Sequence, residues 1–144
     1  MAEMSAAGTT AGERPLTLET ANARLTVPAG AVPPSVAVQL VEGVTPPDLP
    51  AEFDLHGAWR VEAGTPAFGN SGTASVRFTP AATLRLSAAV AGPGSLEVRR
   101  FGARDGRWLR EPATGDARHG HLEVAVHSSG TYALVRNRAE ALAA

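Results

Sequence analysis

Residues 121–135 read HLEVAVHSSGTYALV, and two alternating patterns meet within this stretch. In its first half every second residue is apolar, and the second half repeats the pattern around Tyr132 and Leu134. Alternation with a period of two is typical of a β-strand that buries one face. The stretch therefore predicts two strands separated by the polar segment His-Ser-Ser-Gly at residues 127–130.

The same alternation recurs along the rest of the chain. Short apolar segments with a period of two lie between turn residues supplied by 15 glycines and 11 prolines. The dipeptide Asp105-Gly106 is a strong hairpin signal. Alternation of this kind means that each sheet buries one face and exposes the other, as antiparallel sheets do. The pattern predicts an all-β fold, an antiparallel two-sheet β-sandwich.

The two tryptophans occupy different kinds of position in this pattern. Trp59 belongs to an alternating run from Leu55 to Val61, whose odd-numbered members are predicted to share one buried face. Trp108 alternates with Arg110, which predicts a partly exposed ring that could anchor an interface.

The chain of 144 residues is predicted to form one domain. Residues 1–14 are predicted to be a flexible N-terminal lead, residues 15–136 the β-sandwich domain, and residues 137–144 a C-terminal tail. Residues 43–52 (GVTPPDLPAE) are predicted to be a proline-rich loop.

Composition excludes several kinds of chemistry and partner. The chain has no cysteine, so disulfides and thiolate sites are excluded. A net charge of −1 gives no electrostatic reason to expect nucleic acid, and the apolar runs are too short to span a bilayer. The N-terminus lacks the pattern of a secretory signal, so we expect a cytoplasmic location by default. All thirteen basic residues are arginine, and isoleucine is also absent; we attribute this to the codon bias of a GC-rich bacterial genome.

Three stretches together resemble the ZU-five type of β-sandwich, the module of ankyrins, netrin receptors and tight-junction scaffolds that also occurs in bacterial proteins. The stretch LTVPAGAVP at residues 25–33 is similar to the family's opening strand, turn and next strand. Residues 78–86 are similar to its mid-domain strand, and residues 96–134 to its closing hairpin and final strand. The resemblance covers about residues 16–135 and implies an interaction or assembly module without a cofactor.

The resemblance also implies a second role, because some ZU-five type domains cut their own backbone before the serine of a His-Phe-Ser bend. Carried to this chain, His127 would be the base and Ser129 the nucleophile, and the Ser128–Ser129 bond would break by an N-to-O acyl shift. Serine needs an adjacent base at neutral pH, and neutral imidazole can act as one.

The segment departs from that bend at two positions. Ser128 stands where self-cleaving members have a large apolar residue, and Gly130 adds backbone freedom that relaxes strain. A polar turn or bulge is therefore the preferred interpretation of the same residues. We predict a non-catalytic module that binds a protein partner or self-associates, with no small-molecule substrate, and keep autoproteolysis by His127 and Ser129 as the alternative.

Two further clusters are predicted to be solvated surface. His119 and His121, with Asp116 nearby, suggest a metal site, but a turn leading into a strand explains them better, and no metal is predicted. Several arginines from Arg99 to Arg110 surround one hairpin, where neighbouring carboxylates predict an ion-paired face.

Overall fold

A computed structural model gives the described chain eleven β-strands in two antiparallel sheets that pack face to face. The predicted all-β sandwich is therefore confirmed. The structure describes residues 4–9, 14–32, 36–64, 77–87, 96–102, 106–116 and 120–137.

The larger sheet has six strands in the order β1-β4-β5-β11-β7-β8, and every neighbouring pair is antiparallel. The final strand, β11, lies in its interior between β5 and β7. The strands are β1 (Met4–Thr9), β4 (Ala37–Glu42), β5 (Phe53–Gly64), β7 (Leu96–Gly102), β8 (Arg107–Glu111) and β11 (Gly130–Asn137).

The smaller sheet has five strands in the order β2-β3-β6-β10-β9, also antiparallel throughout. Consecutive strands β10 and β11 therefore belong to different sheets. The strands are β2 (Leu16–Thr20), β3 (Ala23–Val27), β6 (Arg77–Ser87), β9 (Ala113–Asp116) and β10 (His121–Ser128).

The main core lies between the two sheets and is built from the alternating positions that the sequence indicates. On β10 the apolar residues Leu122, Val124 and Val126 point inward, whereas the residues between them are exposed or half-buried. Trp59 is 2% exposed and belongs to this core, which confirms its predicted inward orientation. Burial of each such side chain contributes roughly 1.5–3 kcal/mol, and the two sheets are held together mainly by this term.

The six-stranded sheet is covered on both faces, which differs from the predicted one-sided burial. Ala133 and Val135 of β11 point away from the main core and form a second buried cluster with Phe53 and Trp108. Leu49, from the proline-rich loop, packs against this cluster. The loop thus covers apolar residues on the outer face of the sheet.

The predicted exposure of Trp108 is therefore wrong. The side chain is 7% exposed, and its indole Nε1 donates a hydrogen bond of 2.8 Å to the carbonyl oxygen of Pro47. Trp108 does lie on the outer face of its sheet, the same face as Arg110, but the proline-rich loop covers it.

A bulge in β5 corrects the predicted alignment of the run from Leu55 to Val61. Leu134 of β11 pairs with Gly57, and the next residue, Val135, pairs with Leu55, so His56 is an extra residue in β5. A bulge of this kind reverses the face on which the following residues lie. Leu55 is consequently 45% exposed, on the face opposite to Trp59.

The N-terminal segment predicted to be a flexible lead contributes a strand. Residues 4–9 form β1, which pairs with β4 at the edge of the six-stranded sheet. Ala6 packs against the main core. Most residues of β1 are small, so its sequence shows no clear alternation of apolar and polar positions. The strand is recognised by its pairing with β4.

Some predicted features lie outside the described residues, among them most of the C-terminal tail, of which only Asn137 is described, as the last residue of β11. Within the described part of the chain, no helix has the length and hydropathy that a membrane crossing requires.

Candidate functional site

The His-Ser-Ser-Gly segment carries the chain from one sheet to the other. β10 ends at Ser128 in the five-stranded sheet, and β11 begins at Gly130 in the six-stranded sheet, so Ser129 lies at the crossing. The pairing of β10 with β6 is irregular here. Val126 pairs with Ala82, whereas Ser128, two residues later, pairs with Arg77, which lies five residues before Ala82 in β6. The segment is thus an inter-sheet crossing beside a bulge, and not a hairpin turn.

The hydroxyl of Ser129 is held by the backbone of β5. Its Oγ accepts a hydrogen bond of 2.9 Å from the Ala63 amide and lies 3.5 Å from the Ala63 carbonyl oxygen, to which it can donate. The following residue, Gly130, pairs with Val61 on the same strand. The hydroxyl therefore extends the pairing of β11 with β5 by one residue, which is a structural role.

The side chain of His127 is exposed, on the outer side of β10. Among the described residues no hydrogen bond joins it to Ser129, whose hydroxyl contacts Ala63 instead. The two predicted site residues are therefore two positions apart in sequence without the base–nucleophile contact that serine chemistry uses.

His127 lines a cleft between the end of β10 and the strands β7 and β8, with a volume of about 290 Å³. The cleft brings together five strands, β6, β7, β8, β10 and β11. Its lining residues are Arg77, Arg100, Glu111, Ala125, His127, Ser128 and Tyr132.

Among the described residues, the charges in the cleft leave one arginine without a carboxylate partner. Arg100 donates from Nε to Glu111 Oε1 at 2.6 Å, and this hydrogen bond raises the pKa of Arg100. Arg77 is exposed and makes no ion pair with the described residues. Two arginines against one glutamate give the described lining of the cleft a net positive charge, which favours an anionic group.

Tyr132 forms the buried wall of the cleft. Its side chain is 1% exposed, and burial raises the pKa of Tyr132 to about 12, with a further rise from the nearby charge of Glu111. The phenol consequently stays protonated at neutral pH. It can donate a hydrogen bond but is not a base.

The strand edge next to the cleft is open in the described structure. β9 pairs with residues 121–124 of β10, and its first residue, Ala113, lies opposite Val124. Residues 125–128, here named the open half of β10, pair with β6 on one side and with no described strand on the other. Three of these four residues line the cleft.

The basic hairpin of β7 and β8 is ion-paired, as predicted, but its central carboxylate is not solvated. Glu97 is 5% exposed and accepts hydrogen bonds from Arg99 at 2.7 and 2.9 Å, with Arg110 at 3.4 Å. Arg99 also lies 4.9 Å from the centre of the Phe53 ring. These contacts fix the outer face of the six-stranded sheet.

The histidine pair predicted to be a solvated turn is described only at His121. Its Nδ1 lies 3.2 Å from Arg85 Nη2 on the adjacent strand. His119 lies outside the described residues. Among the described side chains, no three His, Asp or Glu residues lie close enough to hold a metal ion.

Local sequence indicated the bend but not the groups that surround it. The charged groups of the cleft come from three separate strands and are Arg77, Arg100 and Glu111. The sequence pointed only to Arg100 and Glu111, as members of the arginine-rich hairpin and its neighbouring carboxylates. Comparison with known protein families, with curated proteins and with solved structures gives no match for this chain.

Proposed function

We propose that the chain is a non-catalytic protein-interaction module, a ZU-five-like β-sandwich that adds an extended segment of a partner protein to the open half of β10. The observation that carries the proposal is the short length of β9, which pairs with residues 121–124 and not with residues 125–128. A strand edge with unpaired N–H and C=O groups accepts an extended peptide as an additional strand.

The cleft supplies a preference for the partner's side chains. The partner strand would lie beside Ala125 and His127, on the side of β10 that β9 occupies at residues 121–124. Arg77 reaches the same cleft from β6, on the other side of β10. Arg100 is already paired with Glu111, so the exposed guanidinium of Arg77 is the group available to an acid. A partner segment with an Asp or Glu at this position fits best.

A second copy of the same chain can supply the added strand, which would make the protein a self-assembling structural subunit. Size-exclusion chromatography with light scattering over a wide concentration range distinguishes the two versions. A mass that rises with concentration supports self-association. A strictly monomeric protein removes the subunit version and leaves binding to another protein.

The test of strand addition uses a displayed library of random ten-residue peptides selected on the purified protein. We expect enriched peptides to carry an acidic residue and to shift the amide NMR signals of residues 125–128. The variant Arg77→Glu should weaken their binding at least severalfold. Arg107→Glu makes the same charge change at an exposed arginine outside the cleft and should leave binding nearly unchanged. Signal shifts confined to another surface would contradict the proposal.

Autoproteolysis is the second candidate, and the position of β11 favours it in one respect. Since β11 lies between β5 and β7, a C-terminal piece beginning at Ser129 would stay bound after cleavage. In the reaction, Ser129 Oγ attacks the Ser128 carbonyl carbon, the C–N bond breaks, and the freed amine takes the proton. Water then hydrolyses the resulting ester. The contact of Ser129 with Ala63 weighs against this candidate, because it holds the hydroxyl in a structural hydrogen bond.

Intact-mass analysis after long incubation decides between the two candidates. Cleavage gives a separate fragment of residues 129–144 that the variant Ser129→Ala does not release. An unchanged full-length mass for the wild-type protein eliminates the autoproteolytic role.

A further inference from the structure

The outer face of the six-stranded sheet carries an aromatic surface that binds a proline-rich segment of the chain itself. Phe53, Phe101 and Trp108, with the guanidinium of Arg99, form this surface, here named the aromatic platform. The segment that covers it is residues 44–50, which read VTPPDLP.

The contacts between the two have the chemistry of proline-rich peptide recognition. The indole Nε1 of Trp108 donates to the Pro47 carbonyl at 2.8 Å. Pro47 and Asp48 form a turn, and the indole satisfies the Pro47 carbonyl there. Leu49 packs against the apolar cluster two residues later. Between them Asp48 has φ of 47°, so the segment bends between its two contacts.

The platform is held together by contacts that do not involve the loop. The rings of Phe101 and Trp108 lie 5.3 Å apart at 53°, and Arg99 lies over Phe53. Glu97 fixes Arg99 through two hydrogen bonds. These contacts lie within the sheet and do not involve the loop.

We propose that the aromatic platform is a binding site for proline-rich peptides, and that residues 44–50 occupy it as an intramolecular ligand. The peptide class is a proline-containing segment that bends at one residue, whose proline carbonyl meets Trp108 and whose apolar residue follows two positions later. Such a segment docks at low entropic cost because each proline ring already fixes its backbone φ. This site is separate from the open half of β10, so its failure would leave the proposed function untouched.

The intramolecular segment should compete with any added peptide. A tethered ligand has an effective concentration in the millimolar range, and a free peptide must displace it. The native chain should therefore bind such a peptide at least about tenfold more weakly than a chain whose loop cannot dock.

The experiment replaces residues 45–50 by six Gly and Ser residues and titrates the synthetic peptide VTPPDLPAE, which is residues 44–52. Binding is followed by tryptophan fluorescence and by the indole N–H signal of Trp108. We expect saturable binding, with much weaker binding to the native chain. A control peptide, VTAADLAAE, lacks the three prolines and should bind severalfold more weakly. In the replaced chain, Trp108→Phe keeps an aromatic ring but removes the N–H donor and part of the ring. It should weaken binding, followed here by backbone amide NMR signals, about threefold to tenfold.

A single substitution keeps the test decisive if the replaced chain does not fold. Leu49→Ser weakens loop docking within the intact chain and should raise the apparent affinity for VTPPDLPAE above that of the native protein. The proposal is overturned if the folded variants do not bind the peptide more tightly than the native chain. Equal binding of VTAADLAAE would also overturn it.

Discussion

The indole ring of Trp59 occupies the space in which Gly57 would otherwise carry a side chain. A Cβ placed on Gly57 would lie 2.5 Å from Cη2 of that ring, much closer than carbon atoms approach. The two residues share the inner face of β5 after the bulge at His56. The ring is also held by a hydrogen bond of 3.0 Å from its Nε1 to Glu42.

Gly57→Ala should destabilise the protein by about 1–3 kcal/mol, because the methyl group forces the indole out of a close-packed core. Urea denaturation of the purified variant measures the change in the free energy of unfolding. Gly102→Ala is the matched control, since its Cβ would meet its nearest neighbour at 3.5 Å, an ordinary contact. Equal stability of the two variants would contradict this account of Trp59.

The carboxylate of Glu42 joins the two sheets at one end of the sandwich. It accepts hydrogen bonds from Thr20 Oγ1 at 2.7 Å, from the Asn22 amide at 2.9 Å and from Asn22 Nδ2 at 3.0 Å, besides that from Trp59. Burial raises the pKa of Glu42, but these hydrogen bonds together lower it by more, so its net direction is downward.

Glu42→Gln should lower stability by about 1–2 kcal/mol at pH 7, because the amide donor faces the Asn22 donor. A carboxylate with a lowered folded-state pKa stabilises the protein above its unfolded pKa and loses that contribution as pH falls through the folded value. The difference between wild type and variant should therefore shrink between pH 5 and pH 3. The exposed Glu52→Gln serves as control, and a Glu42→Gln difference that does not change with pH would refute the assignment.

A strand with one buried face has apolar residues at every second position, so period-two alternation in the sequence predicts the strands of this fold. Leu122, Val124 and Val126 show it directly. The bulge at His56 cannot be read from the sequence, since one extra residue reverses the face on which its neighbours lie without changing the composition of the strand. Burial of Trp108 was also beyond local reasoning, because a periodic pattern indicates a face and not the loop that covers it.

The sequence likewise predicted where the candidate site lies but not the contacts that its residues make. His127 and Ser129 were located at a bend, and the crossing between sheets lies there. The partner of Ser129 is Ala63, which is distant in sequence, and no local pattern indicates which backbone amide a hydroxyl will meet. Contacts between strands remote in sequence decided the chemistry of this hydroxyl.

Ser129→Ala should destabilise the protein by about 1 kcal/mol, because the Ala63 amide loses its acceptor. Hydrogen exchange of that amide should become faster than in the native protein. Ser129→Thr retains a hydroxyl and should recover most of the loss. Ser128→Ala controls for the neighbouring position. Unchanged exchange at Ala63 in Ser129→Ala would show that the hydroxyl does not hold β5.

Tyr132 gives a spectroscopic test of the buried wall of the cleft, because it is the one tyrosine in the chain. Burial raises the pKa of Tyr132 to about 12, well above the ordinary tyrosine value of about 10, so ultraviolet absorbance should show the phenol ionising near pH 12 in the folded protein. The neutral phenol is favoured by folding, and its contribution is complete below the unfolded pKa. Stability should therefore fall by roughly 2–3 kcal/mol as pH rises from 10 to 12. Circular dichroism recorded on the same samples establishes that the protein is folded, and ionisation near pH 10 in folded protein would contradict the burial of this ring.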